Sequence, residues 1–292
     1  IQNLYSFLKK HPNDILSISL LGTFLGMNEE YDDAVKFQKL AIEKAPFEVA
    51  FYMNLSETLS IINRLEESLS ILYFAKVLSL RDKLIDYKLA KIYTKLKDYL
   101  KADLIYQDLI NEDLVSSEII YSYCNNLIRS NREQKAILFL EKYELKYPND
   151  EQVKILIGLA YFKSKEFNLA KTIFFQLLKL NNFNDEAHTM LGDCYEKLGD
   201  LVKAKRCYEK SLSINPNNIG TINNLAAWYF INGNIYEAEK FYSQSIKKNK
   251  NNINALYSLS LCQLAQSNYS EGWINFDYRW LANEFNSCLL YT

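Results

Sequence analysis

The sequence runs to 292 residues, 49% hydrophobic and 24% charged, with 34 basic and 35 acidic side chains and a net charge of −1. That length exceeds what one compact core usually fills, and the composition excludes disorder. Eight glycines and four prolines are too few for the frequent turns of an all-β chain, while near-neutrality and six arginines against 28 lysines argue against nucleic acid or an anionic membrane as partner.

Long helices joined by short connections remain, and the prolines set their phase. Pro12, Pro46, Pro148 and Pro216 all lie at intervals divisible by 34, a period that marks stacked helical repeats. Taken in chain order, a half-unit at residues 1–12 comes first. Eight units follow without insertion at 15–48, 49–82, 83–116, 117–150, 151–184, 185–218, 219–252 and 253–286, and 287–292 read as the start of a truncated linker. The eighth column of the units is small throughout: Gly22, Ser56, Ala90, Cys124, Gly158, Gly192, Ala226 and Ser260. The twentieth is small again, from Ala34, Ser68 and Ala102 through Ala136, Ala170, Ala204 and Ala238 to Gly272. Two antiparallel helices approach closely only where neither carries a bulky side chain at the crossing. Larger residues surround that crossing: Leu21, Leu55, Leu89, Tyr123, Ile157, Leu191, Leu225 and Leu259 in column seven, and Tyr106, Phe174, Tyr208, Tyr242 and Phe276 in column twenty-four. Three- and four-residue spacings put them on one face of each helix. Gly199-Asp200 and Gly233-Asn234 punctuate the hairpins, and Pro-Asn-Asp or Pro-Asn-Asn ends one unit and caps the next.

Leu191-Gly192, Tyr195, Gly199, Ala204, Tyr208 and Pro216 resemble the tetratricopeptide repeat consensus nearly residue for residue. Units five to seven match closely; units two to four are degenerate, with Ser56, Asn63 and Ser68 where Gly, Gly and Ala are usual. The resemblance implies an all-α solenoid of helical hairpins over residues 1–286, wound as a right-handed superhelix whose concave wall is lined by the first helix of each unit. It also implies a scaffold that binds a partner protein or peptide in that groove.

Columns two, five, nine, twelve and thirteen are then the candidate contacts. Met53, Tyr87, Tyr121, Ile155, Leu159 and Phe162 put apolar side chains where polar ones are usual. They suit either a hydrophobic groove for a bound segment or tighter packing of a strongly curved superhelix. Column thirteen reads Lys95, Arg129, Lys163 and Lys197 in four consecutive units, with Lys88 and Lys91 nearby. This is either a cationic ladder for an acidic peptide or carboxylate terminus, or a surface column where lysine is common. An asparagine ladder like that of protein O-linked N-acetylglucosamine transferases is mostly absent, since only Asn54 and Asn224 hold column six against Leu20, Lys88, Leu156 and Met190.

The last unit departs from the pattern at Glu271-Gly272-Trp273-Ile274-Asn275-Phe276-Asp277-Tyr278-Arg279-Trp280. A glycine inside a helix costs about 1 kcal/mol relative to alanine, so something local should offset it. Trp273, Phe276 and Trp280 share a face with more apolar area than a terminal repeat needs. With Asn283-Glu284-Phe285-Asn286, the segment resembles the last repeat of bacterial tetratricopeptide proteins that continue into a glycosyltransferase domain related to O-linked N-acetylglucosamine transferases or heptosyltransferases. Two expectations stand: a contact surface for such a catalytic domain, or an aromatic capping helix.

No catalytic constellation is present. His11 falls in a turn and His188 in a packing column; the five scattered cysteines, Cys124, Cys194, Cys207, Cys262 and Cys288, lack metal or disulfide spacing; no apolar run reaches a membrane span. Neither cofactor nor metal is expected, and a reducing, cytoplasmic setting is. Because the chain opens on Ile1, it reads as a fragment.

Overall fold

A computed structural model describes residues 1–80, 82–111 and 116–281. Asn283, Glu284, Phe285, Asn286, Cys288 and the expected linker at 287–292 lie outside the described residues. The chain divides into two compact bodies, Ile1–Arg132 and Glu133–Thr292, so the boundary falls inside the fourth unit of an array expected to be one solenoid. The first body contains α1 (Gln2–Lys10), α2 (Ile15–Met27), α3 (Tyr31–Lys44), α4 (Val49–Ile61), α5 (Leu65–Leu78), α6 (Lys83–Lys95), α7 (Tyr99–Ile110) and α8 (Ser117–Arg129). The second contains α9 (Glu133–Lys146), α10 (Glu151–Lys163), α11 (Phe167–Leu180), α12 (Asp185–Lys197), α13 (Leu201–Ile214), α14 (Ile219–Ile231), α15 (Ile235–Lys248), α16 (Ile253–Ala265) and α17 (Tyr269–Phe276), closed by a 3₁₀ turn at Asp277–Trp280. Among the described residues there is no strand, and the first helices begin at Ile15, Val49, Lys83, Ser117, Glu151, Asp185, Ile219 and Ile253. Within each body every helix packs on its chain neighbours, the arrangement of stacked helical hairpins.

Eight of the described helices start on a side-chain cap. Asp14, Asp82, Asp98, Asp150, Asn184, Asp200, Asn218 and Asn252 each accept a bond from a backbone N–H in the first turn, satisfying donors that have no intrahelical partner. The turn between the two helices of a unit repeats just as strictly. Column fifteen is left-handed in every unit: Glu29, Asn63, Lys97, Asn131, Lys165, Gly199, Gly233 and Ser267 all have positive φ. Only two of the eight are glycine, so the others bear the steric penalty of that conformation.

The hairpin crossing is as tight as its small columns require. A methyl added at Gly158 would lie 2.6 Å from the Phe174 ring, and one at Gly192 would lie 2.5 Å from the Tyr208 ring. Both rings are fully buried, so neither can give way. In the second unit both small columns carry serine: Ser68 Oγ donates to the Ser56 carbonyl (2.8 Å) and lies 2.8 Å from Ser56 Oγ, satisfying hydroxyls that no solvent reaches. Gly272 has the same explanation, since a methyl there would meet Leu264 at 2.8 Å. That close approach offsets its helix penalty.

Two further devices join the units. Glu151 accepts from the side-chain amides of Asn181 and Asn184, and Asp185 from those of Asn215 and Asn218, tying the start of each first helix to the connector thirty residues later. At columns twenty-eight and four, mostly apolar elsewhere, Lys76 pairs with Asp86 and Glu144 pairs with Lys154. The second pair repeats the first with its charges exchanged.

Glycine should therefore be refused replacement at the crossing and welcomed at the turn. Gly192→Ala is expected to lower stability by about 1–3 kcal/mol despite alanine's better helix propensity. Lys165→Gly, relieving a left-handed lysine, is expected to raise it by about 0.5–1 kcal/mol. Urea unfolding midpoints of the two variants check both signs.

Candidate functional site

In the N-terminal body, α4 and α6 enclose a cleft lined by Ser56, Glu57, Ser60, Ile61, Lys88, Lys91, Ile92 and Lys95. First-helix residues of successive units face each other across it. Lys88 Nζ donates to Glu57 Oε2 at 2.7 Å, and this bond, ahead of Lys91 and Lys95 further off, holds the Glu57 carboxyl below its usual range. Lys95 Nζ donates to Ser60 Oγ (2.6 Å) and to the Ser60 carbonyl (3.1 Å). Burial first, and then the Lys91 charge, pull the Lys95 ammonium below its usual range. Lys91 Nζ lies 5.2 Å from the Tyr87 ring centre and 3.9 Å from Glu118.

Of the cationic positions read from the sequence, the cleft thus collects Lys88, Lys91 and Lys95. Arg129 is exposed at the end of α8 and lies outside the cleft lining. Lys163 and Lys197 belong to the other body, where Lys163 is exposed and Lys197 lies 3.7 Å from Glu196. The apolar positions are buried to differing degrees. Tyr87 is 6% exposed and its hydroxyl donates to Glu118 Oε1 at 2.8 Å, with Ser122 Oγ at 2.9 Å. Ile155 is buried in the core formed by α11 and α12, and Phe162 packs on Phe167 with ring centres 5.3 Å apart. Met53 lies against the core formed by Leu72, Ile85 and Leu89, and Tyr121 and Leu159 are half-buried. Sequence reasoning singled out neither Glu57 nor Ser60. The signal was available in pairing column nine of one unit with column six of the next, and column twelve with column thirteen.

The same column pairing recurs in the C-terminal body with different chemistry. Asn224 Nδ2 donates to Asp193 Oδ1 at 2.7 Å, and Tyr208 Oη donates to the same oxygen at 2.7 Å. Glu196 Oε2 stands 3.1 Å from that phenol, whose one proton serves Asp193. Burial pushes the Asp193 carboxyl up to about 6, with the Glu196 charge adding and the two hydrogen bonds opposing.

At α17, Trp273 meets Phe276 edge-on at 5.3 Å, and the Arg279 guanidinium lies 4.6 Å from the Phe276 ring and 4.4 Å from the Trp280 ring. The three aromatic side chains form one cluster, with Trp273 57% and Trp280 48% exposed. The last helix, read as continuous through Trp280, tightens to a 3₁₀ turn after Phe276, a common way to satisfy terminal carbonyls. His188 Nε2 bonds the Asn182 carbonyl at 3.1 Å, and burial holds its imidazole below the usual range. Among the described residues no helix is long and apolar enough to cross a membrane.

Three family models match, all described as tetratricopeptide repeat, over residues 185–218, 219–251 and 86–113. The chain carries tetratricopeptide repeats. A solved tetratricopeptide repeat protein from Parabacteroides merdae ATCC 43184 is 16% identical, covers 85% of this chain and 98% of its own, and superposes with a TM-score of 0.71, which shows the shared fold. YrrB, titled a TPR protein with an unusual peptide-binding site, is 18% identical and covers 63% of this chain and 95% of its own, with a TM-score of 0.43. No curated protein matches the sequence.

Asp193 gives the repeats an inverted acid response. Its folded-state pKa lies above the unfolded value, so its stabilising contribution is complete below about 4 and is lost as pH rises through about 6. Asp193→Asn, which keeps an acceptor for Tyr208 and Asn224, is expected to gain about 1–3 kcal/mol on wild type between pH 4 and 7. Urea melts of both proteins across that range measure the difference.

Proposed function

We propose that this chain is a protein-interaction scaffold that holds an acidic segment of a partner protein against the first-helix face of its N-terminal body. One observation carries the reading: Lys88, Lys91 and Lys95 share a cleft with Glu57 alone as counter-charge, three cations against one anion, a net +2. Counting Glu118, 3.9 Å from Lys91, still leaves +1. Lys88 and Lys95 are held by Glu57 and Ser60, so less side-chain entropy is lost when a ligand arrives. Tyr87 and Ile155 go into packing rather than into an apolar trough, which favours charge over hydrophobic burial as the source of selectivity. The chain acts by shape and charge, without chemistry of its own.

The test is the affinity of a fluorescent glutamate-rich decapeptide. Lys91→Glu combined with Lys95→Glu is expected to weaken it at least tenfold and to flatten its salt dependence. Equal affinity for the variant and the wild type discards the reading.

A second reading is favoured by the exposed aromatic cluster at α17, where Trp273 and Trp280 leave a large apolar surface open. In it, the repeats recruit acceptor proteins to a glycosyltransferase domain encoded beyond residue 292. The coding sequence decides: a two-lobed α/β domain there supports it, and a stop codon or unrelated sequence removes it.

A further inference from the structure

The second helices offer a different surface. In the C-terminal body a hollow of about 330 Å³ lies among α11, α12 and α13, at the lower end of the ~300–1,000 Å³ range of ligand pockets. Its lining includes apolar Phe175, Leu178 and Leu191 together with the cations Lys179, Arg206 and Lys210. None of the three cations is ion-paired among the described residues. His188 adds no counter-charge. Burial, and further down the Lys210 ammonium, hold its imidazole toward the neutral form against the opposing bond to Asn182. Asp185, whose charge reaches that imidazole, accepts from the side-chain amides of Asn215 and Asn218 at 2.9 and 2.8 Å and forms no ion pair with the three cations.

The repeat itself supplies a control. One unit further along, α13, α14 and α15 form the corresponding hollow, lined by Glu209, Leu212, Ser213, Leu225, Phe241 and Gln244. Column for column, Leu178 and Leu191 are matched by Leu212 and Leu225, so the two leucines belong to the fold. The charged part recurs only at one position: Arg206 is matched by Lys240, but Lys179 is matched by Ser213 and Lys210 by Gln244, and the apolar Phe175 is matched by Glu209. Cations cost little on a surface helix when a carboxylate pairs with them; here Asp200 lies within electrostatic reach of Arg206 without forming an ion pair, and the lining itself holds no carboxylate. An apolar floor under three cations that make no ion pair among the described residues is complementary to a ligand with an apolar body and an anionic head.

We propose that the hollow formed by Phe175, Leu178 and Leu191 under Lys179, Arg206 and Lys210 binds a small amphiphilic anion, an alkyl or aryl chain ending in a carboxylate or phosphate. The chain lies on Phe175, Leu178 and Leu191, and the head meets the guanidinium of Arg206 and the ammonium groups of Lys179 and Lys210. This site is separate from the first-helix cleft of the N-terminal body, and either can exist without the other.

Octanoate and octyl phosphate are the probes, titrated into the full chain by calorimetry and followed by amide chemical shifts. Both are expected to saturate, with shifts concentrated in α11, α12 and α13. Acetate, which lacks the chain, and octanol, which lacks the charge, are expected to bind at least tenfold more weakly. Arg206→Glu combined with Lys210→Glu is expected to reduce octanoate affinity at least tenfold. So is Phe175→Glu, which installs the residue type found at this column in the next unit. Circular dichroism keeps the variants interpretable, and Lys91→Glu in the other body should leave octanoate binding unchanged. Octanol binding as tightly as octanoate, undiminished affinity in both variants, or equal shifts in the α13–α15 hollow would each overturn the proposal. A preference for octyl phosphate over octanoate identifies the head group as phosphate, and the reverse preference identifies it as carboxylate.

Discussion

Every other feature of this chain depends on how closely two helices of one hairpin can approach. At Gly158 and Gly192 the partner helix lays an aromatic ring where a β-carbon would otherwise stand, 2.5–2.6 Å from its ideal position. The contact gathers a large apolar area in one place and fixes both the distance and the rotation of the pair, because the ring is buried on all sides. Where column twenty-four is not aromatic the arrangement adjusts. Gln38 occupies that column against Gly22, and its buried Oε1 finds no hydrogen-bond partner, a local cost that the ringed hairpins avoid.

Once the pair is set, the faces follow. Columns that point away from the crossing on the first helix meet the first helix of the next unit, so columns nine and six come together as Glu57 with Lys88 and as Asp193 with Asn224. The backbone repeats and the chemistry does not. One instance is an exposed ion pair beside two more lysines; the other is a carboxylate pushed toward neutrality by burial, against the opposing hydrogen bonds of Tyr208 and Asn224. The second helices behave alike, carrying cations at one inter-unit hollow and neutral or acidic residues at the next. A uniform scaffold thereby presents sites of differing character at regular intervals.

The phase of the fold was legible because it rests on exclusion. A small residue is compulsory at a crossing, so Gly, Ala, Ser and Cys recur there, and caps such as Asp14, Asp150 and Asn218 recur for an equally local reason. The left-handed turn was legible only at Gly199 and Gly233; Lys97, Lys165 and Glu29 take the same conformation without announcing it, since neighbouring helices impose it. Candidate contacts were harder to read. Tyr87 and Ile155 stand in columns that could face a groove, and whether such a side chain folds inward depends on partners one unit away, such as Glu118 and Ser122 for Tyr87. The cations of column thirteen were visible as a row. Which of them gather depends on the preceding unit, where Ser60 draws Lys95 into the cleft, and that information lies more than thirty residues away.

The exchanged ion pairs at columns twenty-eight and four carry a consequence for the evolution of the array. Units that share one length and one packing plan can in principle be exchanged for one another. Here Lys76 answers Asp86, whereas Glu144 answers Lys154. A crossover that brought the second unit's trailing helix against the fifth unit's leading helix would oppose Lys76 to Lys154 at a partly buried junction, where like charges cost more than they do in water. The reciprocal product would oppose Glu144 to Asp86. The two junctions thus favour the order in which the units now stand over an order that exchanges them.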